Sequence, residues 1–162
     1  MEYVFDDGGR SKYFKAEHVG DCVCRAIAIA TGMDYKEVYD ELQRRAKQET
    51  DRQLKKHRGN KRSSARNGMF RETWKKYLAD LGWEYHSTCC VGKGISCHLV
   101  ADELPMGTVL VKVTKHLVCV KDGIIHDTYN SSIKQYYDDC GNLVTNDRRA
   151  VYGYWTAPQQ RS

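Results

Sequence analysis

Apolar and polar positions follow a helical period in the first half of the chain and a strand-like period in the second. Apolar residues recur at i, i+3, i+4 and i+7 from position 23, which predicts a helix that begins near Asp21 or Cys22. Gly32 suits the left-handed conformation that ends a helix. Asp34 followed by Glu37 is a capping-box pattern and predicts that a second helix follows at once.

Further elements are predicted downstream. A third helix is expected over roughly 69 to 81 and a short one over 97 to 104, where Pro105 would halt it. β-Branched and aromatic runs predict strands at 83–88, 109–113, 117–120, 124–127 and 151–155. The first twenty residues and the polar stretch around 138–147 are predicted to be irregular. Helices followed by strands are typical of an α+β fold, with N-terminal helices packed on a C-terminal antiparallel sheet.

One segment departs from this globular pattern. Residues 44–66 contain ten Lys and Arg against two acids, so they carry about +8 while the whole chain carries +5. Within this stretch the part at about 47–66 has almost no apolar residues, which predicts a mobile basic insertion in a single domain of 162 residues. Its charge makes an acidic protein or a nucleic acid a candidate partner, although no aromatic residues are interleaved for base stacking.

Composition narrows the setting of the protein. No apolar run is long enough to cross a bilayer, and the N-terminus lacks the apolar core of a secretory signal, so we expect a cytoplasmic protein without membrane contact. Seven cysteines are an odd number, and reduced thiols are therefore expected rather than a disulfide framework. The cysteine spacing does not match the paired pattern of zinc sites, so neither a metal nor another cofactor is predicted.

Cys22 is the strongest candidate for chemistry. It lies where the first helix is predicted to begin, and the unpaired N–H groups and dipole of a helix N-terminus favour the thiolate. Cys24 lies about 200° further round the same helix, so we expect it to pack in the core. A nucleophilic cysteine needs a base, and His116 stands out among six histidines because it begins a strongly apolar strand.

The hairpin after His116 identifies a carboxylate for this base. A two-residue turn at 122–123 pairs position 121 with 124 and places His116 opposite Tyr129. Side chains alternate between the faces of a strand, so His116 and Asp127 share a face as diagonal neighbours. His126 is then expected on the other face. The pattern predicts that Asp127 orients the imidazole of His116.

A cysteine on a helix, a histidine on a strand and an acid on the next strand follow the order seen in papain-like cysteine peptidases. GDCVCRAIAIATG followed by KHLVCVKDGIIHDT resembles small papain-like proteins of bacteriophage and bacterial genomes, similar in layout to peptidases that trim bacteriocin leaders. The resemblance runs from about Gly20 to Asp127. It implies Cys22 as nucleophile, His116 as general base, Asp127 as the orienting residue and an oxyanion hole formed partly by the Cys22 backbone N–H.

The chain departs from this family in one respect. Related peptidases usually carry a Gln a few residues before the cysteine, whose amide helps to hold the oxyanion, whereas residues 16–21 contain neither Gln nor Asn. His18, Asp21 or backbone amides are the candidates for the oxyanion contact or for a place beside Cys22. The loss of one oxyanion donor raises a reaction barrier by about 3–4 kcal/mol.

The resemblance therefore predicts a phage-encoded hydrolase that cleaves a peptide, amide or isopeptide bond of a protein or peptide substrate in the bacterial cytoplasm. Two alternatives remain open. One is a cell-wall amidase or acyl transferase with the same layout. The other is an inactive papain-like domain that binds a host protein or nucleic acid through its basic loop.

Overall fold

The helices begin and end at residues suited to caps. The computed structural model describes residues 1–15, 19–90 and 92–159, and within these ranges it contains four α-helices. They are α1 (Cys22–Thr31), α2 (Tyr35–Ala46), α3 (Asp51–Lys56) and α4 (Arg71–Asp80). Gly32 ends α1 with φ 73°, and the Asp34 carboxylate accepts a hydrogen bond from the Lys36 N–H at the start of α2. The predicted end of α1 at Gly32 and the predicted start of α2 after Asp34 are confirmed.

Ten β-strands complete the described part of the chain. They are β1 (Tyr3–Phe5), β2 (Glu84–His86), β3 (Cys89–Cys90), β4 (Gly94–Ile95), β5 (Thr108–Val113), β6 (His116–Lys121), β7 (Ile124–Asp127), β8 (Lys134–Tyr137), β9 (Leu143–Asn146) and β10 (Gly153–Thr156). Six of them form one sheet in the order β1-β7-β6-β5-β10-β2, in which β1 runs parallel to β7 and the other pairs are antiparallel. The fold is therefore α+β with a mostly antiparallel sheet.

The central strands of this sheet are covered on both faces. Leu117 and Cys119 pack with α1, α2 and α4, whereas Val118 and Val120 belong to a second cluster formed with the segment around Leu99. This explains why the four consecutive residues 117–120 of β6 are apolar and buried instead of alternating with polar residues. Helix α1 packs mainly on β6 and places its N-terminus beside the first residue of that strand.

The β6–β7 hairpin has the predicted register. Lys121 pairs with Ile124, and Asp122 and Gly123 occupy the turn with φ 48° and 79°. Positive φ at both central residues is typical of the tight turn that Asp-Gly favours. The β5–β6 hairpin is equally short, and Lys115 adopts φ 56° in its turn.

Three sequence predictions of local structure are wrong. The N-terminal segment, expected to be irregular, contributes edge strand β1 through parallel pairing with β7. Residues 97–104 form no α-helix but an irregular segment with a 3₁₀ turn at Ala101–Glu103. The polar region expected to be irregular contains β9, which pairs with β8 in a separate two-stranded sheet. Pairing with distant residues decides the first two segments, and the local sequence pattern does not report it, whereas β9 pairs with the nearby β8.

The basic stretch contains more local structure than its composition indicates. Thr50 and Gln53 form a capping box at α3. The Glu49 carboxylate is buried. It accepts hydrogen bonds from the Ser63 backbone N–H at 2.8 Å, from the Thr73 hydroxyl at 2.8 Å and from the Ser63 hydroxyl. These contacts hold both ends of the stretch to α4. The mobility of the intervening residues stays a prediction.

Across the described ranges, none of the helices is long and apolar enough to span a membrane.

Candidate active site

Cys22 is the first residue of α1, as the sequence predicts, and its thiol is partly buried. Gly20, two residues earlier, packs directly on the backbone of Asn67, where an added Cβ would lie only 3.1 Å from the Asn67 carbonyl. The segment around Asn67 and Gly68 is thereby held beside the start of α1. It forms one wall of the groove into which Cys22 opens.

His116 and Asp127 meet as the hairpin register predicts. The Nε2 atom of His116 lies 2.6 Å from Oδ2 of Asp127, and both side chains are more than nine-tenths buried. A carboxylate only accepts hydrogen bonds, so Nε2 carries the hydrogen and Nδ1 is left for the hydrogen bond between His116 and Cys22. The ring of Tyr129 lies 5.3 Å from that of His116, which agrees with their predicted positions across the hairpin.

These contacts move the pKa values of the thiol and the imidazole toward each other. Burial raises the pKa of the Cys22 thiol, but the hydrogen bond and charge of His116, aided by the Leu117 N–H, lower it below its ordinary value overall. Burial lowers the pKa of His116, but hydrogen bonds and charges from Asp127 and Cys22 raise it to about 8. Burial also opposes ionisation of Asp127, yet His116 and Arg25 keep its pKa low. The arrangement favours a thiolate–imidazolium pair.

A buried guanidinium, that of Arg25, joins the start of α1 to β7. Nη2 of Arg25 lies 3.2 Å from Oδ1 of Asp127, and Nη1 contacts the carboxylate of Asp21. Asp21 also accepts hydrogen bonds from Arg10 Nη1 at 3.2 Å and from the Tyr35 hydroxyl at 2.7 Å. Asp21 is fully buried among these donors, and its carboxylate, which accepts all three hydrogen bonds, has no hydrogen to donate to an oxyanion.

The groove at Cys22 has a volume of about 170 Å³. Trp74 and Leu117 supply apolar surface, and three cationic residues lie along it: Arg71, Lys112 and Lys115. Arg71 begins α4, whose N-cap has no side-chain hydrogen bond, and Lys112 and Lys115 come from the β5–β6 hairpin. The groove therefore brings together parts of the chain that are about ninety residues apart.

The other candidate residues lie elsewhere. Cys24 is buried in the core, and burial raises its pKa to about 12. His126 has its Nδ1 atom 3.4 Å from Asp6 instead of contacting Cys22. His18 lies outside the described residues. Within the described ranges, the structure contains no cluster of three or more His, Cys, Asp and Glu side chains that could hold a metal ion.

Sequence reasoning missed the cations of the site. The signal for Arg25 was its i, i+4 spacing from Asp21 across the first helical turn, a spacing that brings side chains together. The signal for Lys112 was one charged residue within an otherwise apolar strand. Arg71 gave no comparable signal, because its position beside Cys22 depends on tertiary packing.

Comparison with known proteins adds no relative to this picture. No protein-family model, no curated protein and no solved structure matches the chain. Its function is therefore inferred from the geometry of Cys22, His116 and Asp127 and from the resemblance of their surrounding motifs.

Proposed function

We propose that this protein is a papain-like cysteine hydrolase that cleaves a peptide, amide or isopeptide bond. The observation that carries the proposal is the continuous contact from the Cys22 thiol through the His116 imidazole to the buried Asp127 carboxylate. A cysteine at a helix N-terminus, a base in contact with it and a third group that orients the base are the elements of an activated nucleophile.

In the proposed reaction the Cys22 thiolate attacks the substrate carbonyl carbon and forms a tetrahedral intermediate. The C–N bond then breaks, and the proton held on Nδ1 of His116 passes to the leaving amine. Water, deprotonated by the now neutral His116, attacks the resulting thioester, which releases the carboxylic acid product and regenerates the thiol. Asp127 remains ionised throughout and holds Nε2–H in place. The backbone N–H of Cys22 is the proposed donor to the oxyanion.

Covalent labelling by an electrophilic peptide probe tests this function. Purified protein and three variants, Cys22→Ala, His116→Ala and His126→Ala, are compared by intact mass and peptide mapping. We expect Cys22→Ala and His116→Ala to lose labelling and His126→Ala to keep it, because His126 contacts Asp6 and not Cys22. Labelling that survives in His116→Ala but disappears in a folded His126→Ala would show that the proposed site is wrong.

The absence of Gln and Asn from residues 16–21 favours one other function, an inactive papain-like domain that binds a partner. The same experiment distinguishes the two. An inactive domain retains a reactive Cys22 toward iodoacetamide but does not react faster with a peptide probe than with a matched probe that lacks the peptide. A peptidase reacts faster with the peptide, because binding in the groove orients the electrophile.

A further inference from the structure

The groove at Cys22 has an electrostatic character that the proposed chemistry does not require. Three of the residues that line it are cationic, Arg71, Lys112 and Lys115, and none of its described lining residues is acidic. The rest of the chain carries many carboxylates, since the protein contains 21 Asp and Glu residues against 26 Lys and Arg residues. Their exclusion from this groove leaves a concentrated positive charge beside the nucleophile.

These cations are not neutralised within the fold. Among the described residues, no carboxylate forms an ion pair with Arg71, Lys112 or Lys115. Arg71 and Lys115 are exposed, and Lys112 is partly buried with its Nζ atom donating to the backbone carbonyls of Val113 and His116. The basic side chains of α2 behave differently, because Arg44 and Arg45 both pair with Glu41.

The ammonium group of Lys112 is in an unfavourable environment without an anion. Burial lowers its pKa, the Cys22 thiolate raises it, and the nearby guanidinium groups of Arg71 and Arg149 lower it further. Like charges in a partly desolvated groove repel each other, and an incoming anion relieves that repulsion. The thiolate supplies part of this compensation, but it is one charge among several cations.

We propose that the groove selects substrates that carry a carboxylate close to the scissile bond, so that the cleaved peptide has an acidic residue or a free C-terminus within reach of Arg71, Lys112 and Lys115. This inference rests on the proposed function and names its substrate class. The groove has a volume of about 170 Å³, and its cations lie close to Cys22 and His116. A carboxylate that reaches these cations must therefore lie near the bond that Cys22 attacks. A carboxylate there pairs with one or more side chains that are otherwise unpaired.

Four matched electrophilic peptide probes test the selectivity. They carry Asp, Asn or Lys beside the electrophile with an amidated C-terminus, or Asn with a free C-terminal carboxylate. We expect the Asp probe to label Cys22 about three- to tenfold faster than the Asn probe at low salt, since each exposed ion pair contributes a factor of about 2–5. The Lys probe should be slowest. The Asn probe with a free C-terminus shows whether a terminal carboxylate can take the place of an acidic side chain.

Salt and variants assign the effect to the groove. The advantage of the Asp probe should shrink toward unity at about 0.5 M salt, where charges separated by more than a few ångströms are screened. Arg71→Gln and Lys115→Gln should each reduce it, whereas Lys76→Gln, the same loss of charge at an exposed position on α4 outside this groove, should leave it unchanged. Lys112 is avoided, because its contact with the His116 carbonyl makes it part of the site.

The outcomes separate this inference from the proposed function. Equal labelling of Cys22 by the Asp, Asn and Lys probes, with all of them faster than a non-peptide electrophile, overturns the selectivity and leaves the hydrolase proposal standing. Failure of every peptide probe to exceed the non-peptide electrophile overturns the hydrolase proposal and this inference together. A preference for Asp that is lost equally in Lys76→Gln overturns the assignment to the groove.

Discussion

Replacement of Asp127 by Asn probes the site with a change of a single atom. In the native protein Oδ2 faces Nε2 of His116 at 2.6 Å, while Oδ1 accepts hydrogen bonds from Arg25 Nη2 at 3.2 Å and from the Thr128 N–H at 2.7 Å. Donors therefore surround both oxygens. An asparagine has one carbonyl oxygen, so its NH₂ group must face either the imidazole or the two donors at Oδ1.

One orientation of the amide in Asp127→Asn keeps more hydrogen bonds, and in it His116 can no longer accept a proton from Cys22. If the amide oxygen takes the place of Oδ1, the bonds from Arg25 and Thr128 are kept, and the NH₂ group donates to Nε2 of His116. The neutral imidazole then carries its hydrogen on Nδ1, facing Cys22, and cannot accept the thiol proton. An Asp→Asn change of this kind in a serine protease triad lowers turnover by about 10⁴ through the same tautomer. The opposite orientation sets two N–H donors against an NH₂ group and leaves them unsatisfied.

The pKa of His116 sets the size of the expected decrease in the labelling rate of Cys22. Its rise from 6.5 to about 8 corresponds to about 2 kcal/mol in favour of the imidazolium, and Asp127 and Cys22 provide it against the effect of burial. Without the carboxylate the pKa of His116 falls, because burial opposes the imidazolium and only Cys22 is left to raise it. The positive charge that stabilises the Cys22 thiolate is then weakened near neutral pH. We expect labelling of Cys22 by the peptide probe at pH 7 to slow by up to about thirtyfold through this effect, the factor equivalent to the whole 2 kcal/mol.

The pH dependence of labelling gives the decisive measurement. The lowered pKa of Cys22 makes the native protein label at a lower pH than an ordinary thiol, and the imidazolium that supports the thiolate is present below about pH 8 and is lost above it. In Asp127→Asn the half-maximal pH for labelling should rise. Asp6→Asn makes the same chemical change at the contact with His126 and should leave the profile unchanged. A folded Asp127→Asn with native rate and profile refutes the reasoning.

Three further outcomes are expected. Limiting iodoacetamide near pH 6.5 should label Cys22 before Cys24, whose pKa burial raises to about 12; peptide mass mapping that shows equal labelling contradicts the assignment. Arg25→Met should lower the free energy of unfolding in urea by about 3–5 kcal/mol, because it leaves two buried carboxylates without their shared partner; a loss below 1 kcal/mol contradicts the proposed network. Glu49→Ala should speed trypsin cleavage within residues 50–62, because the buried donors of Ser63 and Thr73 lose their acceptor. Time-resolved peptide maps that match those of the native protein would show that Glu49 does not anchor the stretch.

The local sequence was sufficient to predict the contact between His116 and Asp127 and the position of Cys22 at the start of α1. The Asp-Gly turn at 122–123 determines the pairing of β6 with β7. That pairing and the alternation of side chains were sufficient to select Asp127 over His126 as the neighbour of His116. The beginning of α1 at Cys22 follows from its helical apolar period. In each case one short segment of chain contains the whole signal, so no knowledge of the tertiary structure is needed.

The features that sequence could not predict depend on contacts between distant segments. Strand β1 contains only three residues and is exposed, and it is a strand because β7 offers it a parallel edge. Residues 97–104 contain apolar positions that fit a helix, but Leu99 instead packs in the cluster on the second face of the sheet. The groove at Cys22 combines α4 with the β5–β6 hairpin, so its charge depends on the tertiary fold alone.

The buried charges around Cys22 form a single series of contacts in which neighbours have opposite signs. In order along these contacts they are Arg10, Asp21, Arg25, Asp127, His116 and Cys22. Isolated buried charges are unfavourable, whereas each member of this series is stabilised by its neighbours and supports the next. Arg25 acts at two points, because it lowers the pKa of both Asp127 and Cys22. The ionised thiol is thereby linked to the charges that hold the start of α1 to β7, so substitutions at Arg25 or Asp21 should alter stability and the reactivity of Cys22 together.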